Sequence, residues 1–336
     1  MILFPTSMRR GHRRIRKEGR PMSLKRKQIF PTLPAGQRVS LSAVLLGAAL
    51  SLAAAVPAQA DNHEPLPEVT STPLTGTLHL LQGRGGNVVA SVGEDGLLII
   101  DDDYANMVPA YEAALIDLAG ADANPRFVLN THWHSDHTGG NLFWADRGAV
   151  VVAHTRVRER MATRQDMPAM NRVVEPSPKG ALPVVTYGDS VAVHFNGDDL
   201  EVQHYAAAHT DGDSVVYFTA ENVVHMGDLF FKDRFPFVDI GSGGTVPGYI
   251  AAVEAVLERV DGSTVIVPGH GSLATKADLE RYLDMLQLTS TFVADKLAAG
   301  ESVESITEAG LGEVWASWGG GFINEATWIS FIANSP

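Results

Sequence analysis

The run Thr131-His132-Trp133-His134-Ser135-Asp136-His137-Thr138-Gly139-Gly140 sets four potential metal ligands within six residues. Crowding imidazoles and carboxylates is costly unless a shared cation offsets it. In an extended loop, residues at i and i+2 point to the same side, so His132 and His134 can meet one ion. Imidazole and carboxylate together suit zinc or a similar first-row metal. A chain with this motif needs a rigid frame around it.

The flanking sequence predicts such a frame. Arg126 to Asn130 reads as a strand that ends at the motif, and Leu78 to Leu81, Asn87 to Val92 and Leu97 to Asp101 read as three strands before it. Val108 to Leu118 has a helical pattern. Gln82-Gly83-Arg84-Gly85-Gly86-Asn87 is glycine-rich, but it joins strand to strand and so reads as a hairpin turn rather than a nucleotide loop. Beyond the motif come a short helix, Leu142 to Arg147, a strand, Val150 to Ala153, and a basic helix, Thr155 to Arg164. Strands are expected near Ser190 to Phe195, Leu200 to Tyr205, Ser214 to Thr219, Val223 to Gly227 and Thr264 to Val267. Helices are expected over Val246 to Val260 and Lys276 to Ala299. Strand runs followed by helices in both halves predict an α/β (α+β) protein, two sheets with helices on their outer faces.

His209, Asp228 and His270 each fall just past one of these strands. Loops at strand ends can converge on one rim while the sheet holds them rigid. They are therefore expected to join the His132 cluster.

The 336 residues are 45% apolar, enough for one large core. Residues 1–60 hold 11 of the 26 Lys and Arg and one of the 39 acids, leaving 15 bases, 38 acids and a formal charge of −23 for 61–336. The apolar stretch Ser42 to Val56 and the small residues Ala58-Gln59-Ala60 complete a secretory signal peptide over 1–60, with Met22 as an alternative start. The apolar stretch is about 15 residues, short of the roughly 20 that span a bilayer, which disfavours an uncleaved anchor and stable membrane insertion. A periplasmic or secreted protein is expected, with a flexible leader over 61–75, the main domain over 76–290 and a C-terminal helical segment over 291–336 packed on it. The chain has no cysteine, which excludes thiolate ligands and nucleophiles. The acidic charge argues against nucleic acid as partner.

The order His-x-His-x-Asp-His, then His209, Asp228 and His270, with Leu98-Ile99-Ile100-Asp101 upstream, resembles the metallo-β-lactamase superfamily of αββα sandwich hydrolases over roughly Thr75 to Leu288. The resemblance implies a first metal held by His132, His134 and His209, a second held by Asp136, His137 and His270, and Asp228 as bridge. Asp101 would orient a ligand from behind. Two zinc ions, with iron or manganese as alternatives, would then generate a bridging hydroxide near neutral pH that attacks an acyl bond of a small-molecule substrate. Asp136 could also steer protons.

The substrate is expected to be a β-lactam first, with lactone or thioester as alternatives. A non-hydrolytic metal-binding protein or an iron-dependent oxidative member is the reading from a different class. Most β-lactamases of the family carry cysteine at the second metal or lack an acid at the bridge, whereas Asp228 matches glyoxalase II, lactonases and transfer-RNA-processing nucleases. No basic glutathione-binding region is visible, and charge and export oppose the nuclease reading. Asp228-Leu229-Phe230-Phe231-Lys232-Asp233 resembles the lysine-bearing loop that grips a drug carboxylate, which makes Lys232 and Arg234 candidates for substrate binding. Trp133, Phe235 and Phe237 are candidate pocket walls. His154, His194, His204 and His225 read as structural histidines, and Arg156, Arg158, Arg160 and Arg164 as a solvated helix face. Trp315 to Phe322 resembles the C-terminal segment of exported relatives and is expected to pack on the sandwich. The oligomeric state is left open.

Overall fold

The computed structural model describes residues 68–121 and 123–335. The signal peptide over 1–60, the alternative start at Met22 and the first residues of the leader lie outside them.

The first half contains β1 (Thr70–Pro73), β2 (Leu78–Gln82), β3 (Val88–Gly93), β4 (Gly96–Ile100), α1 (Val108–Ala119), β5 (Pro125–Leu129), α2 (Ser135–Thr138), α3 (Asn141–Asp146), β6 (Val150–His154), α4 (Thr155–Met161), β7 (Gln165–Met167), β8 (Arg172–Val174) and β9 (Val185–Tyr187). The second half contains β10 (Ser190–Phe195), β11 (Asp198–His204), β12 (Ser214–Phe218), β13 (Val223–His225), α5 (Val246–Arg259), β14 (Val265–Val267), α6 (Lys276–Ala298), α7 (Val303–Ala309) and α8 (Glu325–Asn334). A seven-stranded sheet runs β1-β2-β3-β4-β5-β6-β9, parallel from β4 onward, and a five-stranded sheet runs β10-β11-β12-β13-β14 with only β13 and β14 parallel. β7 and β8 form a separate hairpin.

Alternation along the strands assigns the layers. On β4, Leu98 and Ile100 meet Val202, Val216 and Phe218 of the second sheet, while Leu97 and Ile99 pack under Tyr111 and Leu115 of α1 and Trp144 of α3. On β12, Val216 and Phe218 face inward, and Val215 and Tyr217 face the layer containing α5 and α6. Strands apolar on both faces are what a four-layer αββα sandwich requires. α5 and α6 start at threonine caps, Thr245 and Thr275, and the latter closes a full capping box with Asp278. α8 packs on α6, where Trp328 Nε1 donates to Thr289 Oγ1 at 2.9 Å.

Several expectations shift. Thr70–Pro73, placed in the leader by its composition, pairs with β2 as an edge strand, and all four residues are exposed, so no apolar alternation marked them. The strands β7, β8 and β9 have three residues each, too few for a periodic signal. The basic helix stops at Met161, because Gln165–Met167 is already strand. Among the described residues, no helix is long and apolar enough to cross a membrane.

Candidate metal centre

Every candidate ligand lies in the connection that follows the carboxyl end of a strand. β5 delivers His132 and His134, and the short α2 carries Asp136 and His137. The β11–β12 connection carries His209. β13 and β14 are parallel neighbours, so Asp228 and His270 emerge side by side. This proximity requires Gly269, since a Cβ there would collide with Asp228 Oδ1, and Gly86 for the same reason against the His137 ring.

The seven residues form two adjoining groups, His132, His134, His209 and Asp228 in one and Asp136, His137 and His270 in the other. In the first, His134 Nδ1 lies 3.0 Å from His132 Nε2 and 2.9 Å from His209 Nε2, and Asp228 Oδ2 lies 3.8 and 3.5 Å from those two Nε2 atoms. In the second, His270 Nε2 is 3.3 Å from Asp136 Oδ2, and His137 Nε2 is 3.7 Å from it. Asp228 Oδ1 turns toward this second group, 3.1 Å from His137 Nε2 and 3.4 Å from His270 Nε2.

The outward nitrogens fix which ring atoms carry protons. His134 Nε2–H donates to Asp239 Oδ2 at 3.0 Å, His137 Nδ1–H to Asp101 Oδ2 at 2.7 Å, and His209 Nδ1–H to the Phe237 carbonyl at 2.8 Å. His132 Nδ1–H faces Thr131 Oγ1 at 3.1 Å, and that hydroxyl donates to Asp101 Oδ2 at 2.8 Å. His134 Nδ1, His132 Nε2 and His209 Nε2 are then bare lone pairs facing one another and a carboxylate. His137 Nε2 and Asp228 Oδ1 are buried with no hydrogen-bond partner. Lone pairs converging this closely repel unless a cation lies among them. Four ligands about 2.0–2.1 Å from a tetrahedral ion are about 3.3 Å apart, the spacing seen in the first group. The residues thus fit divalent metal.

Electrostatics divides the ligands. Burial, then the neighbouring imidazoles, holds His132 well below the ordinary histidine value, and burial takes His209 down to about 4 despite Asp228. Burial also opposes the His137 and His270 cations, but the carboxylates, Asp228 foremost, outweigh it; His137 is held well above its ordinary value and His270 is raised to about 9. Asp136 is pushed upward by burial and pulled further down by His137 and His270, to about 2.

A cavity of about 250 Å³ opens over both groups, walled by Trp133, Phe231, Phe235, Phe237, Phe322 and the methionines of the β7–β8 hairpin. Of the two basic candidates, Arg234 lines it and Lys232 does not. The Lys232 ammonium donates to the Leu273 carbonyl at 2.6 Å and lies 3.4 Å from Asp278 Oδ2, so the α6 N-terminus holds it away from the opening. Arg84 and Arg172 line the cavity instead. Asp239 was invisible to ligand spacing; its one local signal is the turn in which it accepts from Ser242 N and Oγ. The expected solvated face of α4 is partly engaged, since Arg160 grips Asp211 of the His209 loop at 2.8 Å. His225 is structural, its Nε2 on the Asn87 carbonyl at 3.0 Å, and His194 is an exposed partner of Asp199.

A family model described as the metallo-beta-lactamase superfamily matches residues 81–270. Over 249 residues the chain is 23% identical to the 2,4-dinitroanisole O-demethylase subunit alpha of Nocardioides sp. (strain JS1661), covering 72% of this chain and 70% of that one. It is 21% identical over 197 residues to metallo-beta-lactamase type 2 of Bacteroides fragilis, covering 54% and 70%. A solved metallo-beta-lactamase from Pontibacter korlensis superposes with a TM-score of 0.52 at 19% identity, covering 66% of this chain and 99% of that one.

Proposed function

Because this chain belongs to the metallo-beta-lactamase superfamily, we propose that it is a dinuclear zinc hydrolase of acyl bonds, with the β-lactam ring as leading substrate and lactones or thioesters as alternatives. Metal-dependent hydrolysis itself follows from the family and the His/Asp site. The observation that carries the dinuclear reading is the division of Asp228, with Oδ2 toward His132 and His209 and Oδ1 toward His137 and His270.

In this reading His132, His134 and His209 hold one ion, Asp136, His137 and His270 the other, and Asp228 serves both. When bound, the ions supply Lewis acidity toward an acyl carbonyl and lower the pKa of water toward neutrality. The chain's own residues do the rest. Asp101, Asp239 and the Phe237 carbonyl lock the rings with their lone pairs inward, so no reorganisation is needed during reaction. Asp136 is ionised at neutral pH and its side chain, 19% exposed, borders the cavity, so Oδ2 can take up a proton and pass it to a leaving group. Trp133, Phe231 and Phe237 exclude water from the reacting side.

The test is elemental analysis of purified protein together with a panel of chromogenic β-lactams, lactones and thioesters. Two zinc ions per chain and chelator-sensitive hydrolysis of a panel member are expected; one ion per chain, or turnover that survives chelation, overturns the reading.

A further inference from the structure

The charge around the cavity deepens the reading just given, on which this inference rests. Arg147, Arg156, Arg160, Arg164, Arg259 and Arg281 each have a carboxylate at ion-pair distance. Arg126 and Arg158 donate to main-chain carbonyls. Arg84, Arg172 and Arg234 have no carboxylate partner among the described residues, and all three line the cavity.

Two of these arginines converge on one edge of the metal centre. The Arg84 main-chain N–H donates to Asp103 Oδ2 at 3.0 Å, and the next residue, Gly85, sits so close to Asp136 that a Cβ would come within 2.9 Å of its Cβ. Arg172, on the β7–β8 hairpin, lies 3.4 Å from Ser135 Oγ, one residue from Asp136. The turn that carries Arg84 and the hairpin that carries Arg172 thus border the Ser135–Asp136 edge, and both residues line the cavity, while Trp133, Met167, Phe237 and Phe322 supply apolar walls. A guanidinium presents paired donors to an oxyanion, and unpaired cations beside low-dielectric walls focus negative ligands. Methionine walls adapt to varied apolar shapes.

We propose that the substrate is an amphiphilic anion, an acyl compound whose oxyanion is held by Arg84 and Arg172 and whose alkyl or aryl portion lies against Trp133, Met167, Phe237 and Phe322. Calorimetric titration of metal-loaded protein with phenylbutanesulfonate and phenylbutanol tests it, since a sulfonate is a weak metal ligand and the two probes share the apolar portion but carry an anionic or a neutral head. The sulfonate should bind about tenfold or more tightly, a preference that added salt reduces. The double variant Arg84→Ala/Arg172→Ala should lose the preference while keeping metal content and phenylbutanol binding, and Arg172→Lys should keep part of it. Equal binding of both probes by the wild type, or an unchanged preference in the double variant, overturns the proposal. The hydrolase reading fails separately: a sulfonate preference without hydrolysis of any acyl substrate removes that reading and leaves this one standing.

Discussion

Asp228 Oδ1 lies 3.1 Å from His137 Nε2, and both atoms are buried without a hydrogen-bond partner. A buried, unsatisfied donor or acceptor costs about 1–3 kcal/mol, so two facing each other mark a place built for a cation.

Asp228→Ala removes the carboxylate that faces both groups. The variant should retain one ion where the wild type retains two, and turnover should fall about a hundredfold or more. Elemental analysis after gel filtration and steady-state kinetics check this; full metal occupancy would show that Asp228 does not bridge.

Asp101 and Asp239 act at different distances from the two groups. Asp101 holds His137 directly and reaches His132 through Thr131, whereas Asp239 holds only His134 among the ligands. Asp239→Ala should weaken one ion about 10–100-fold, and Asp101→Ala should weaken both. Competition against a chromophoric chelator resolves the two steps.

The His154 and His204 rings stack 3.6 Å apart at 7°. Burial, then the neighbouring ring, holds His154 down to about 4, and burial also pulls His204 below its ordinary value. The folded chain keeps these rings neutral where an unfolded one would take up protons. The stability they contribute is therefore complete above about pH 6.5 and is lost as pH falls from there toward 4. Thermal unfolding should show Tm dropping across that window, and His204→Phe should flatten the drop; an unchanged pH slope in the variant would refute the coupling.

Trp328 is fully buried between α8 and α6. Trp328→Ala should cost about 3–5 kcal/mol by urea unfolding, with metal content preserved in the folded fraction, because the lost packing lies on the helical layer rather than at the ligands.

How far the chain could be read depended on how local each signal was. His132, His134, Asp136 and His137 declare their chemistry within one loop, and His209, Asp228 and His270 were found because each follows a strand with a clear apolar run. Helices α5 and α6 carry their own caps, so their limits fell within a residue of expectation. Lys232 misled because its direction is set by Leu273 and Asp278, some forty residues onward, which no nearby pattern reveals. Nothing local marks Arg84 or Arg172 for a related reason: one sits in a turn chosen for its glycines, the other on a strand too short to show periodicity. Thr70–Pro73 pairs through main-chain atoms alone, and the side chains register nothing of that.

Four of the seven candidate ligands follow strands of the first sheet and three follow strands of the second, so neither half holds a complete set. Metal captured there can reward only the docked pair of sheets, because the free energy of capture belongs to whichever state presents all the ligands at once. During synthesis the first group would be complete only once Asp228 emerges, and the second only once His270 does. Metal held at these residues would act as a late rivet across the seam, and its scarcity would loosen the join between the halves before it unravelled either one.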